Sequence, residues 1–144
     1  MNSYLAVCVD ASVIVRLVLQ PEDIVIAQLW QSWISHEYRL VAPSLLYYEV
    51  TNALYRYQKF GLIQPSTIRD ALDTALSLPV NLINDADLHR QARIIAEHYS
   101  LPATYDAHYL ALSEQMDVDL WTADARLFKA LQPFNIQWVK LAGA

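Results

Sequence analysis

The chain has 144 residues, of which 55% are hydrophobic and 17% are charged, with one cysteine and a formal net charge of −5. This length and apolar content exclude a disordered chain, and we treat residues 1–144 as a single domain. One cysteine excludes a disulfide framework and favours a reducing cytoplasm. The longest apolar run, residues 5–19, contains Asp10 and Arg16, so we expect neither a signal peptide nor a membrane span.

An apolar, β-branched run over residues 5–9 predicts a buried first strand that ends at Asp10. Further strands are expected over residues 39–42, 80–83, 120–122 and 136–139. Apolar spacing, capping residues and prolines predict helices over residues 13–19, 21–36, 44–60, 65–77, 85–99, 104–116 and 123–131. Strands that alternate with helices predict an α/β fold with a mostly parallel sheet and helices on both faces.

Two helix starts are predicted from single residues. Pro21 suits the first turn of the second helix, because its missing N–H is not needed there. Ser44 is the expected N-cap of the long third helix.

Four acids are expected at the carboxyl-terminal edge of the sheet. Asp10 and Asp124 each follow a predicted strand directly, and the ends of parallel strands meet at one edge. Asp106 opens a helix and can lean over that edge, while Glu49 has large apolar neighbours, where an acid is usually paired or liganded. Four such acids would repel one another without a cation, and an all-oxygen cluster selects Mg²⁺ or Mn²⁺.

Each of these acids also has a purely structural interpretation. Asp10 can be a helix N-cap, and Thr104 and Thr122 each precede an acid at the start of an apolar helix. There a threonine caps the helix while Asp106 or Asp124 complements its dipole. The histidines show no metal-ligand spacing with one another; they are His36, His89, His98 and His108.

Small polar residues beside the acids are candidates to support them. Ser12 and Thr122 neighbour two of the acids, and hydrogen bonding to the acids or simple capping would both explain them. On the long helix one stripe contains Glu49, Asn52, Arg56 and Lys59. Arg56 and Lys59 have the alternative interpretation that they simply belong to a solvent-exposed helix face and contact no ligand.

The chain resembles PIN-domain proteins, specifically the toxin ribonucleases of VapBC-type toxin–antitoxin pairs. The resemblance covers the whole chain and rests on four segments: Val9-Asp10-Ala11-Ser12; Glu49-Val50-Thr51-Asn52-Ala53-Leu54; Tyr105-Asp106-Ala107 followed by Tyr109-Leu110-Ala111-Leu112-Ser113; and Leu120-Trp121-Thr122-Ala123-Asp124 followed by Leu127-Phe128. It implies a Rossmann-like α/β/α sandwich. It also implies that Mg²⁺ or Mn²⁺ is bound by Asp10, Glu49, Asp106 and Asp124, with support from Ser12, Asn52 and Thr122.

The same resemblance implies a function. Metal-activated water would cleave single-stranded or tRNA-like RNA in line, leaving a 5′-phosphate and a 3′-hydroxyl. Glu49 would ligate a second position or orient that water, and the RNA backbone would be guided by Arg16, Arg56 and Lys59. The implied partners are a small antitoxin and a second copy in a homodimer. Aromatic residues that could line those interfaces are Trp30, Trp33, Tyr47, Tyr48 and Tyr55.

Three other interpretations are open. Asp117-Val118-Asp119 has the D-x-D spacing of a Toprim-type nuclease, but these acids precede a strand and so belong to the opposite edge. A haloacid-dehalogenase-like phosphatase would have an acid where Ser12 stands. A non-catalytic PIN-like module that binds RNA or protein is the third, although the acidic net charge disfavours metal-free binding to an RNA backbone.

Overall fold

Five parallel strands form the central sheet of the computed structural model, which describes residues 5–143. The strands are β1 (Ala6–Val9), β2 (Arg39–Pro43), β3 (Val80–Ile83), β4 (Asp119–Thr122) and β5 (Val139–Leu141). The helices are α1 (Ala11–Leu19), α2 (Ile24–Ser35), α3 (Leu46–Lys59), α4 (Pro65–Ser77), α5 (Ala86–His98), α6 (Tyr105–Met116) and α7 (Ala125–Leu131). The α/β sandwich with a parallel central sheet confirms the predicted fold class. The ends of the predicted domain, residues 1–4 and 144, lie outside the described residues.

The two central strands are buried because helices cover the sheet. Val7, Cys8 and Val9 of β1 are almost fully buried, as are residues 40–42 of β2. Strands of a parallel sheet that are covered in this way have continuous rather than alternating apolar residues, which is the pattern read from residues 5–9. Helix α6 is also buried around most of its circumference, including every residue from Tyr109 to Ser113.

The strand order is β3-β2-β1-β4-β5, so the chain moves to one side of β1 for β2 and to the other side for β4. The order therefore reverses between β1 and β4, where open α/β sheets hold ligands beyond the carboxyl ends of the strands. Val9 is in register with Trp121, and the Asp10 N–H donates to the Trp121 carbonyl oxygen at 3.2 Å. Asp10 and the residues that follow Thr122 consequently lie at the same edge.

Two of the predicted helix starts were wrong. Helix α2 is capped by Asp23, which accepts from the Ile26 N–H at 3.2 Å, so Pro21 lies in the preceding turn. Ser44 does not cap α3: its backbone N–H donates to the Ile83 carbonyl oxygen at 3.1 Å, and its hydroxyl also points to that oxygen.

The last strand lies further along the chain than expected. Residues 132–134 form a 3₁₀ turn and Asn135 adopts a left-handed conformation, which delays β5 until Val139. Helix α7 likewise begins at Ala125 rather than Ala123, because Asp124 itself is the N-cap. Between residues 5 and 143, no helix is long and apolar enough to cross a membrane.

Candidate active site

The Ser12 hydroxyl joins the carboxyl ends of β1 and β4. It donates to Asp10 Oδ1 at 2.5 Å and accepts from the Ala123 N–H at 2.8 Å. Its oxygen also lies 3.3 Å from Thr122 Oγ1, which accepts from the Asp124 N–H at 3.0 Å. These bonds fix the two turns that carry Asp10 and Asp124 relative to each other.

Asp10 and Asp124 are both genuine helix caps. Asp10 Oδ1 accepts from the Val13 N–H at 3.3 Å at the start of α1. Asp124 Oδ1 accepts from the Arg126 and Leu127 N–H groups at 2.9 and 3.4 Å. The N-cap interpretation of Asp10 is therefore correct, whereas at α7 the acid itself caps the helix and not the expected Thr122. Thr104 likewise makes no capping bond at the start of α6. A capping role does not exclude a second use of Asp10 or Asp124, because a carboxylate has two oxygens and about four acceptor positions.

Glu49 reaches the edge from the first turn of α3, where Tyr109 of α6 holds it. The Tyr109 hydroxyl donates to Glu49 Oε1 at 2.6 Å, and the tyrosine ring is almost fully buried. Sequence reasoning did not assign Tyr109 a role of its own. Its position three residues after Asp106, on the same face of α6, was the available signal.

Burial and the charges of neighbouring acids raise the pKa of three acids at this edge, Asp10, Glu49 and Asp106. Asp10 is only 5% exposed, and burial raises its pKa to about 6, against hydrogen bonds from Ser12 that lower it. Burial also raises the pKa of Glu49, and the charge of Asp106 adds to the increase in both Asp10 and Glu49. Burial and the charge of Asp124 raise the pKa of Asp106 in turn. Asp106 thus interacts electrostatically with each of the other three acids.

The donor chemistry of this edge fits a hard divalent cation. Its side chains present carboxylate oxygens, which Mg²⁺ and Mn²⁺ prefer, and a dication would offset both the burial and the repulsion of the charges. Across the described part of the chain, however, no three His, Cys, Asp or Glu side chains are already arranged to hold a metal ion. The four acids share a negative field but do not form a closed ligand shell.

A groove of about 410 Å³ between α1 and α3 adjoins the acids. Ser12 and Glu49 line it together with three residues predicted for support or RNA binding, namely Arg16, Asn52 and Arg56. Lys59, the third predicted RNA-binding residue, is exposed in the last turn of α3 and does not line the groove.

Arg16 and Arg56 differ in how firmly other residues hold their side chains. Arg16 Nη2 donates to the Ala123 carbonyl oxygen at 3.3 Å, and Nη1 lies 4.0 Å from Asp23 Oδ2, so this side chain is held in place. Arg56 lies over the ring of Phe60, 5.4 Å from its centroid. The Arg56 guanidinium therefore keeps its hydrogen-bond donors available for a ligand in the groove.

His89 and His108 lie side by side, a pairing that their spacing along the chain does not indicate. His89 Nδ1 is 3.0 Å from His108 Nε2, and His108 Nδ1 is 2.6 Å from the Thr104 carbonyl oxygen. Because His108 donates to that carbonyl, its Nε2 accepts from His89. The contact joins α5 to α6, which is why spacing along the chain did not indicate it.

The aromatic residues considered for interfaces separate into two groups. Trp30 and Trp33 are buried in the core, so they are not available for a partner. Tyr48 and Tyr55 on α3 are 80% and 54% exposed and, with the exposed Leu82, line an apolar groove of about 770 Å³.

The strand order defines an open, parallel α/β fold with four acids near its switch point, and comparison with known proteins identifies the family. The profile of the PIN domain matches residues 7–132, so the chain belongs to the PIN domain family, whose members are generally nucleases. A search of the curated proteins found no match. Among solved structures the chain is similar to the crystal structure of PAE2754 from Pyrobaculum aerophilum, with 25% identity, a TM-score of 0.67, and coverage of 89% of this chain and 87% of that chain.

Replacing Asp10 with asparagine should stabilise the metal-free protein at neutral pH. The pKa of Asp10 is about 6 in the folded protein and 3.8 in the unfolded chain. Between about pH 4 and pH 6 the unfolded chain therefore releases a proton that the folded protein retains, and the free energy of unfolding of the wild type falls as pH rises. Asp10→Asn has no titrating group at this position. Its free energy of unfolding, relative to that of the wild type, should therefore be roughly 2–3 kcal/mol higher at pH 7 than at pH 4. Denaturant titrations in a chelating buffer at several pH values measure the difference.

Asp73→Asn on the exposed face of α4 removes the same charge far from the edge and is the control. A dication that binds the acids only in the folded protein would stabilise the wild type more than Asp10→Asn, which unfolding in the presence of Mg²⁺ at pH 7 measures. A constant difference between wild type and Asp10→Asn at all pH values would contradict the raised pKa.

Proposed function

We propose that this chain is a Mg²⁺- or Mn²⁺-dependent endoribonuclease that cleaves single-stranded or tRNA-like RNA, and that it acts as the toxin of a toxin–antitoxin pair. The observation that supports the proposal is that Ser12 ties Asp10 and Asp124 together at the carboxyl ends of β1 and β4, while the charge of Asp106 acts on both Asp10 and Glu49. Asp10 is buried and the other three acids are half-buried, and like charges in such positions destabilise the fold unless a ligand offsets them. A hydrated dication that also binds a phosphodiester is the ligand that suits a PIN domain.

In this proposal Asp10, Asp106 and Asp124 hold the cation and Glu49 supplies a further carboxylate. The bound ion would polarise the phosphodiester and lower the pKa of a water molecule. Ser12 fixes the turns of Asp10 and Asp124, so these acids need little reorganisation when the ion binds.

In this proposal Glu49 ligates a second position or orients the attacking water and accepts its proton. The Tyr109 hydroxyl donates to one carboxylate oxygen, Oε1, which leaves the second oxygen available to the water. Tyr109 is thus a positioning residue, because it acts on the reaction through Glu49.

The groove between α1 and α3 is the proposed path of the RNA. Arg56 would contact backbone phosphates directly, and Arg16, which is already bonded to Ala123, would provide a fixed positive charge. Asn52 lines the same groove and would donate to phosphate or sugar oxygens. Lys59 lies beyond the groove and would assist only an RNA that extends past Arg56.

Asp10→Asn should reduce the cleavage rate of a labelled single-stranded RNA by at least about a hundredfold, because it removes a metal ligand. Cleavage by the wild type should require Mg²⁺ or Mn²⁺ and leave 5′-phosphate ends, which phosphatase treatment detects. Asp73→Asn, with the same charge change on α4, should cleave at the wild-type rate. Undiminished cleavage in excess EDTA would reject the metal mechanism.

A non-catalytic PIN-like binding module is the second candidate, and the lack of a closed ligand shell among residues 5–143 favours it. This alternative predicts that RNA or protein affinity survives Asp10→Asn and that neither form cleaves. The same gel therefore separates the two functions.

Tyr109→Phe should lower kcat roughly tenfold, because Glu49 loses the hydrogen bond that orients it. The Tyr109 bond lowers the pKa of Glu49, so the acidic limb of the pH–rate profile should move to higher pH in the variant. Tyr99→Phe makes the same chemical change at the end of α5, outside every proposed site, and is the control. A variant that is slower but has an unchanged pH–rate profile would show that Tyr109 supports the fold and does not act through Glu49.

We further propose two protein partners and a cytoplasmic location, which suits a buried, unpaired Cys8. A small antitoxin would insert a segment into the groove lined by Arg16 and Arg56. A second copy of the chain would cover the apolar face of α3 around Tyr48 and Tyr55, whose exposure is costly in an isolated protein.

The gene beside this one should encode a small protein with a DNA-binding domain and a mobile tail. Sedimentation analysis should show a dimer of the purified chain and a larger complex after addition of the neighbouring protein, which should also stop RNA cleavage. A solitary gene, or a neighbour whose product does not bind, would contradict the toxin assignment and leave the nuclease proposal intact.

A further inference from the structure

One basic side chain beside the acids has no part in the function proposed above. Arg126 lies in the first turn of α7, two residues after Asp124. Its Nε is 3.8 Å from Asp124 Oδ1, and its backbone N–H donates to the same oxygen at 2.9 Å. The second oxygen of Asp124 remains available to a cation.

The charge of Arg126 acts on two of the four acids. It pairs with Asp124 directly. Burial and the charge of Asp124 raise the pKa of Asp106, and the charge of Arg126 lowers it. Arg126 therefore offsets part of the negative field of the metal-free site.

Little holds the Arg126 guanidinium in this position. Its side chain is 96% exposed, and a contact of 3.8 Å between exposed charges contributes little to stability. Most of its N–H donors consequently face solvent. Arg16, in contrast, is bonded to the Ala123 carbonyl oxygen. Arg126 can leave Asp124 at small cost when another anion competes for it.

Arg126 also lies on the side of the site away from the groove between α1 and α3. Strand β1 lies between β2 and β4, so α3, which follows β2, and α7, which follows β4, flank Asp10 from opposite sides. Arg16 and Arg56 line the groove and Arg126 does not. An RNA strand that runs along the groove and past the acids would therefore meet Arg126 next.

We propose that Arg126 pairs with Asp124 in the metal-free protein and turns to an RNA phosphate when the acids hold a dication. This inference rests on the proposed nuclease function and adds to it a phosphate contact on the far side of the acids from Arg56. Arginine suits the exchange because its planar guanidinium stays charged and can form two parallel hydrogen bonds with a phosphate. One dication does not fully neutralise four carboxylates, and a cation at this point offsets the charge that still repels RNA.

Metal binding tests the pairing without relying on cleavage. Arg126→Gln should bind Mn²⁺ roughly twofold to threefold more tightly than the wild type in isothermal titration, because a positive charge beside Asp124 and Asp106 is removed. Arg126→Lys keeps the charge and should bind Mn²⁺ as the wild type does.

RNA binding tests the exchange. Ca²⁺ also takes oxygen ligands but in a looser geometry than Mg²⁺, so it suits a measurement of binding with slow turnover. In Ca²⁺, Arg126→Gln should bind a labelled single-stranded RNA roughly threefold to tenfold more weakly than the wild type, and the slope of log affinity against log salt concentration should fall by about one. In a chelating buffer, where Arg126 stays on Asp124, the two proteins should differ by less than about twofold.

Arg93→Gln on α5 is the matched control, because Arg93 is also exposed and its Nη1 also lies 3.8 Å from an acid, Glu97. This variant changes the net charge equally and should keep both wild-type affinities. Unchanged Mn²⁺ affinity in Arg126→Gln, equal weakening of RNA binding by Arg93→Gln, or the same RNA deficit with and without the dication would overturn the role of Arg126. Cleavage by the wild type would then leave the nuclease function intact, whereas a wild type that neither binds Mn²⁺ nor cleaves RNA would overturn both.

Discussion

Repulsion among four acids at one edge of the sheet is the constraint on which this structure depends. Asp106 interacts with the other three acids, and Asp10 is held in a buried position where its ionised form is disfavoured. The fold tolerates this because Ser12 bonds β1 to β4 and Tyr109 bonds α6 to α3 at the same place. The same bonds hold the acids beside one another at the place where the proposed cation would bind, so the site costs stability in the metal-free protein.

The sequence predicted the fold well because its signals are local. A continuous apolar run before Asp10 identified β1, and strands that alternate with helices identified a parallel sheet. The acids after β1 and β4 could be placed at one edge from strand direction alone. Boundaries were less accurate at Ser44 and at residues 136–139, where a contact with β3 and a left-handed Asn135 determine the local structure.

Contacts between distant helices could not be predicted in the same way. The bond from Tyr109 to Glu49 spans 60 residues, and the contact of His89 with His108 joins two helices whose relative rotation no periodicity specifies. The edge-to-face contact of Trp33 with Trp121 likewise joins α2 to β4. Each of these features depends on packing in three dimensions, while hydrophobic periodicity reports only which face of one element is buried.

The capping role of Asp10 has an evolutionary consequence. Asparagine caps a helix about as well as aspartate, so mutation at this position would keep the start of α1 and remove an unfavourable buried charge. Selection for stability alone would therefore favour drift to a neutral side chain. An aspartate at this position is therefore less favourable for folding than an asparagine would be, which agrees with the proposed use of its charge at this edge.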